Sequence, residues 1–398
     1  MKKMTLIAMF AALCVCASAT VPHKCNIPDI PGYITLKGDF HIHTVFSDGT
    51  VWPTTRIEEA YYDDLDIISI TDHAATRHLN QVHNGYFNAD KCDFNASYEL
   101  AKAAAKKYGI LVIHGIEVTN GARIFPGHFN THFITDGNAV TAACESQDAV
   151  IKDKTKKEEA GIFNALGEAR KQGSFNVWNH PNWDAQAPNE TKWWDIQTRV
   201  YEAGMMQGIE VINQLCGFCP EAFHWAMEKD LTMVSGTDCH DSMSKLVAYM
   251  CGEYRPMTLV FAKERTLESV REALDNHRTA ILCNGTVYGK AEYLEPLVKA
   301  CIEMSEIKYK KDKITFSLKN VSSVPVRLVK VPGEGGETVI VRRDVTLNPG
   351  EELNMSLKPV GGESRFAMKS FNVKFQVANF FVDVDKPLEL SCHFENTK

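Results

Sequence analysis

The chain has 398 residues, 44% hydrophobic and 23% charged, with 43 basic against 50 acidic side chains and a formal net charge of −7. Length and apolar content suffice for a large core plus one smaller domain and exclude general disorder. The acidic balance, with "KDKTKK" at 152–157 as the one obvious lysine run, leaves no nucleic-acid surface evident, because phosphate backbones are bound through clustered Lys and Arg.

The opening stretch "MKKMTLIAMFAALCVCASAT" carries Lys2 and Lys3, an apolar run and a small-x-small site at Ala17-Ser18-Ala19, the layout of a secretory signal peptide. This predicts cleavage after residue 19, a mature chain from Thr20, and a secreted or periplasmic location. A lipid anchor at Cys16 is the alternative, disfavoured by the bulky Val15 before it. No later apolar run reaches the ~20 residues that span a bilayer, so the mature chain is expected to be soluble, without a transmembrane segment.

From 33 to 285 short β-branched runs alternate with helical stretches, the rhythm of βα units. "ITLKGDFHIH" reads as the first strand, and Pro53 opens a helix. "LDIISIT" (65–71) is a strand covered on both faces, "ASYELAKAAAKKYG" a helix closed by Gly109, and "ILVIHGIEV" the third strand. "HFNTHFI" (128–134), "SFNVWNH" (174–180), "GIEVIN" (208–213) and "LTMVSGTD" (231–238) supply four more, with helices near 158–172, 220–230 and 266–277. The fold expected over 20–300 is a distorted (β/α)7 TIM-like barrel, in which chemistry gathers at the C-terminal strand ends. From about 305 the texture changes to period-two alternation with Gly and Pro turns, predicting a small all-β sandwich over 301–398.

Potential metal ligands sit where strands give way to loops. His41 and His43 share a face by strand parity, strand two ends in Asp72-His73, strand three in Glu117, strand four begins at His128, strand five ends in His180, and strand seven in Asp238-Cys239-His240. Buried together, such carboxylates cost several kcal/mol each unless cations offset them. Mixed imidazole and carboxylate donors without thiolate suit Zn, Mn or Fe in a catalytic site. Cys216 and Cys219 in "LCGFCP" form a single CxxC, weak as a zinc signal, and read as a local disulfide or two buried thiols. His114 and His132 read as structural histidines, His224 and His277 as surface ones. The cluster Trp178, Trp183, Trp193 and Trp194 lines a pocket or packs a core.

The set "HIHTVFSDG", "TDHAATRH", "HGIEV", "GHFNTHFI", "NHP" and "GTDCH" resembles the polymerase and histidinol phosphatase (PHP) superfamily over residues 35–285. The resemblance implies a metal-dependent phosphoesterase with two or three divalent ions. His41, His43, Glu117 and Asp238 would hold the first, Glu117 bridging to a second completed by His128 and His180, and Asp48, His73 and His240 a third. Asp238 and His240 are also placed in the catalytic step. Arg77 and His78, just past His73, are suggested as phosphate contacts, an arginine fork suiting phosphate. Paired ions lower the pKa of a bridging water towards neutrality and hold attacking and leaving oxygens in line. The substrate expected is a small organic phosphate ester, mono- or diester, cleaved by a metal-bridged hydroxide. The same chemistry allows amide or ester hydrolysis, and a non-catalytic metal- or glycan-binding surface protein is a further alternative.

Overall fold

The computed structural model describes residues 24–74, 93–119, 127–145, 153–187, 189–245, 254–310, 312–331, 339–341, 344–360 and 370–395. The seven expected strands are β1 (Ile34–Asp39), β2 (Ile67–Ile70), β3 (Leu111–Thr119), β4 (His128–His132), β5 (Phe175–Trp178), β6 (Gly208–Asn213) and, after a short β7 (Gly217–Phe218), β8 (Thr232–Gly236). Three more follow, β9 (Met257–Ala262), β10 (Thr279–Cys283) and β11 (Thr286–Gly289). β2, β5, β6 and β8 are buried at every residue, which explains why apolar side chains stand on both faces of β2. Helices start where local chemistry allows. Pro53 occupies the first turn of Pro53–Tyr62, and Asp153 accepts the Lys156 amide at the head of Lys154–Lys171, making the lysine run a helix start.

The strand order corrects the expected uniform βα repeat. β1, β2 and β3 run parallel, as do β5, β6 and β8, but β4 is antiparallel to both β3 and β5. β3 ends at Thr119 and β4 begins at His128, too short a connection for the dozen or more residues of a parallel crossover. The start of β4 therefore joins the rim where its neighbours end.

The expected closed barrel is also amended. β1 pairs antiparallel with β9, Ile34–Gly38 against Thr258–Ala262. Among the described residues, the segment after β8 reaches the one after β1 through the bridge Ile42↔Cys239, where Asp238 N donates to His41 O at 2.8 Å and His43 N to Cys239 O at 3.2 Å. The segments that follow β8 and β1 thus meet at a bridge instead of a ladder. Gly236 makes this approach possible, since a Cβ there would lie 2.2 Å from that of His41.

The C-terminal region is β-rich. Ile302–Met304, Ile314–Asn320, Glu352–Pro359 and Val339–Ile340 form one sheet, and Asp344–Leu347, Val326–Lys330, Ser370–Asp383 and Lys386–Glu395 pair in a second. The second sheet is continuous with the first domain, because Ser370–Asp383 pairs parallel with β11 at Val287↔Phe380 and Tyr288↔Phe381. Asn379 Nδ2 donates to Gly285 O and Pro325 O, each at 2.7 Å, and one apolar core runs from Ile42 and Leu259 to Phe380 and Phe394. Among the described residues no helix is long and apolar enough to cross a membrane.

Candidate metal centre

Glu117 stands at the middle of the strand-end residues. Its carboxylate oxygens lie 3.5 Å from His41 Nε2, 3.5 Å from His43 Nε2, 2.7 Å from His73 Nδ1, 3.1 Å from His128 Nδ1 and 3.4 Å from His180 Nε2. Asp238 Oδ1 is 3.3 Å from His41 Nε2 and 3.1 Å from His43 Nε2. Asp48 Oδ1 is 3.4 Å from His73 Nε2 and 3.1 Å from His240 Nε2. Four groupings bring one ligand atom per residue within 4.8 Å of one another: His41, His43 and Glu117; His41, His180 and Asp238; Glu117, His128 and His180; and His43, Asp48, His73 and His240. Every ligand position expected from the sequence is thus gathered at one rim. Arg77 and His78 lie outside the described residues.

Two of these residues hold unusual backbones, His180 at φ 30 and Asp238 at φ 52, in the left-handed region that non-glycine residues rarely adopt. Such conformations persist where surrounding contacts over-determine them, and they concentrate at functional sites. The Asp238 backbone is held by His41 O, which accepts its amide, and by His240 Nδ1 at 2.8 Å from its carbonyl, and further support at the centre comes from residues outside the expected ligand set. Glu210 Oε2 accepts the His180 amide at 2.7 Å while its Oε1 lies 3.2 Å from His41 Nδ1. Asn213 Nδ2 donates to Asp238 Oδ2 and to Glu210 Oε2, and Asn179 Nδ2 to Glu117 Oε1 at 2.9 Å. The signal for Glu210 was present: one carboxylate inside the otherwise apolar "GIEVIN". Asp72, beside His73, accepts Thr44 N, Thr44 Oγ1 and Ser47 Oγ, each at 2.7 Å, folding the loop that delivers Asp48.

The electrostatics fit divalent cations. Burial, then the charges of His240 and His73, pushes His43 down to about 4, and burial likewise pushes His128 to about 4, so both are neutral donors. Burial opposes ionisation of Glu117 and Asp238, yet the surrounding histidines hold both well below the usual carboxylate range. His41 and His73 run the other way: burial lowers them, but Asp238 and Glu210 raise the first, and Glu117 and Asp48 lift the second to about 10. The carboxylates therefore demand positive charge that protons or metal ions can supply. His128 Nε2 is buried without a hydrogen bond, and His41 Nε2 faces His43 Nε2 at 3.2 Å. Imidazole nitrogens converging between carboxylate oxygens make the donor set of a Zn, Mn or Fe site.

Seven of these ligands, all but His41 and His43, line a cavity of ≈ 230 Å³ that also includes Trp183, Leu215 and Cys216. The other tryptophans divide: Trp178 is fully buried and stacks on Trp225 at 5.7 Å, and Trp193 packs edge-on against Trp178. Cys216 and Cys219 are free thiols, the second buried and capping a helix. His224 is exposed and His277 partly so. His114 stacks on Tyr98 at 4.2 Å.

His132 is fully buried beside Ser69 Oγ, 2.8 Å from its Nδ1. Burial, then the charges of His41 and Arg271, lowers its pKa from 6.5 to about 3. The folded value lies below the unfolded one, so the unfolded chain takes the proton first as pH falls. The stability contribution is full above about 6.5 and is lost on the way down to about 3. His132→Gln should therefore flatten the acid limb of chemical-denaturation stability by about 2 kcal/mol between pH 7 and pH 5. An unaltered slope would contradict this reading.

A family model described as an Ig-like domain matches residues 302–393. Among solved structures, the chain is similar to a two-domain protein of Bacteroides vulgatus containing a predicted PHP-like metal-dependent phosphoesterase, 38% identical with TM-score 0.78, covering 93% of this chain and 98% of that one. Among curated proteins it is similar to a 5'-3' exoribonuclease of Haemophilus influenzae, 29% identical over 148 residues, which is 34% of this chain and 45% of that protein. The chain therefore matches less than half the length of that curated relative.

Proposed function

The chain belongs to the PHP-like metal-dependent phosphoesterases, in a two-domain form with a C-terminal Ig-like domain, and from that membership we propose that it hydrolyses small organic phosphate esters. One observation carries the reading: a single buried carboxylate, Glu117, lies within 3.5 Å of five imidazoles. In this reading His41, His43, Glu117, Asp238, His128 and His180 hold two ions, and Asp48, His73 and His240 a third. Bound there, the metals would supply Lewis-acid charge for the phosphoryl oxygens and an activated water. The chain's own part is to hold His43 and His128 neutral by burial, to fix the His180 backbone through Glu210 and the Asp238 carboxylate through Asn213, and to leave Asp48 and His240 at the solvent side of the cavity. His240 is the less buried of the histidine ligands, so in the proposal it faces the substrate. Residues 1–19 are read as an export signal, giving a secreted or periplasmic enzyme; Lys2, Lys3 and the apolar run after them support this.

Stripping the purified protein with a chelator should abolish cleavage of a nitrophenyl phosphate ester, and Zn, Mn or Fe should restore it. The same treatment should lower thermal stability, since a ligand at 100 times its Kd adds about 2.7 kcal/mol to the folded state. Activity indifferent to metal removal would exclude the mechanism, and turnover of acyl but not phosphate esters would redirect it to amide or ester hydrolysis. The exoribonuclease relative favours a second reading, hydrolysis of RNA phosphodiesters. Preference for a 5'-phosphorylated oligoribonucleotide over small aryl esters would select it.

A further inference from the structure

We propose that the Ig-like domain fixes the position of a substrate-facing hairpin, and so helps to select esters whose organic part is apolar or aromatic; this rests on the phosphoesterase reading above. The hairpin spans 212–218. β7 folds back on β6 with Ile212↔Phe218 and Asn213↔Gly217 as partners, and Gly217 turns the chain at φ 79, where any side chain would be strained.

The tip of this hairpin faces the metal centre. Leu215, 46% exposed, and Cys216 line the same cavity as the ligands, together with Trp183, whose ring lies 5.2 Å from both His128 and His180. Asn213 ties the tip to the centre, its Oδ1 accepting Leu215 N at 2.9 Å and Cys216 N at 3.2 Å while its Nδ2 donates to Asp238 Oδ2. An ester bound by its phosphate at the metals would present its organic group to Leu215 and Trp183. Apolar contact there contributes binding remote from the reacting bonds.

The back of the hairpin rests on β11, and β11 rests on the Ig-like domain. Phe218 stacks on Tyr288 of β11 at 4.6 Å, and Tyr288 stacks on Phe381 of Ser370–Asp383 at 5.7 Å. Tyr288 and Phe381 are also ladder partners. Three rings from the hairpin, the bridging strand and the Ig-like domain thus form one column, which transmits the position of the C-terminal sheet to the cavity lining. Phe381 is in this account a positioning residue that never meets the substrate.

The test uses the full chain with Phe381→Ala, and with Phe381→Leu in case the first fails to fold. The readings are kcat and KM for bis(p-nitrophenyl) phosphate, bound metal per chain, and amide hydrogen exchange resolved at 214–218. For Phe381→Ala we expect KM to rise about tenfold with kcat within about twofold, metal content as in the wild type, and exchange at 214–218 faster by about tenfold. Phe381→Leu should shift both in the same direction by less. Unchanged exchange at 214–218 with KM within about twofold would overturn the proposal, as would exchange accelerated equally in β2 and β6 with metal lost. If the wild type cleaves no phosphate ester, the phosphoesterase reading fails separately, and the exchange measurement still decides whether the domains are coupled.

Discussion

Glu117→Gln should lower kcat/KM for a phosphate ester by about a thousandfold or more, because even substitutions in partners that only orient metal ligands cost roughly 10- to 100-fold. The amide keeps the shape and removes the charge. His41, His73 and His128 each lose the buried carboxylate that raises their affinity for positive charge, and one oxygen that can serve two metals becomes a nitrogen that serves none. Metal analysis should show at least one ion fewer per chain. Glu210→Gln makes an internal comparison: its carboxylate touches His41 Nδ1 and the His180 amide from behind, so its loss should fall within the 10- to 100-fold range of an orienting residue. Full metal content and near-normal turnover in Glu117→Gln would remove the centre from the mechanism.

The contrast between those carboxylates also explains what could be read from the chain alone. Ligands were legible because strand parity and strand ends are local properties: His41 and His43 flank Ile42, and Asp238 and His240 flank Cys239, whatever the fold does at a distance. β2 was legible for the same reason, as an apolar run bounded by turns. The direction of β4 depends on the shortness of its connection to β3, and it alone explains why His128 serves from the start of its strand. Glu210 acts across the sheet on His41, 169 positions away, and no period in the sequence reports such a pairing. The alternation after 305 announced a sandwich, whereas the ladder from β11 to Ser370–Asp383 joins elements whose partnership only the tertiary structure reveals.

The seam between β8 and β1 leads to the second large effect, expected at Arg56. Its side chain is fully buried beneath the bridge Ile42↔Cys239. Nε donates to His43 O at 2.9 Å, Nη2 to Cys239 O at 2.9 Å, and Nη1 to Asp241 O at 2.9 Å and Glu59 Oε2 at 2.7 Å. One guanidinium thus fastens the backbone of the first ligand motif to that of the last, where no strand ladder does so. Arg56→Met removes the fork, strands the carbonyls it held and leaves Glu59 without its cation, so unfolding by denaturant should lose about 3–5 kcal/mol. Because the carbonyls belong to the loops carrying His43 and His240, metal affinity should fall together with stability. Arg56→Lys restores the charge but not the planar fork. It should recover stability more fully than metal binding, a split that loss of burial alone would not produce. Equal recovery of both would mean that Arg56 supports the fold without setting the geometry of the ligands.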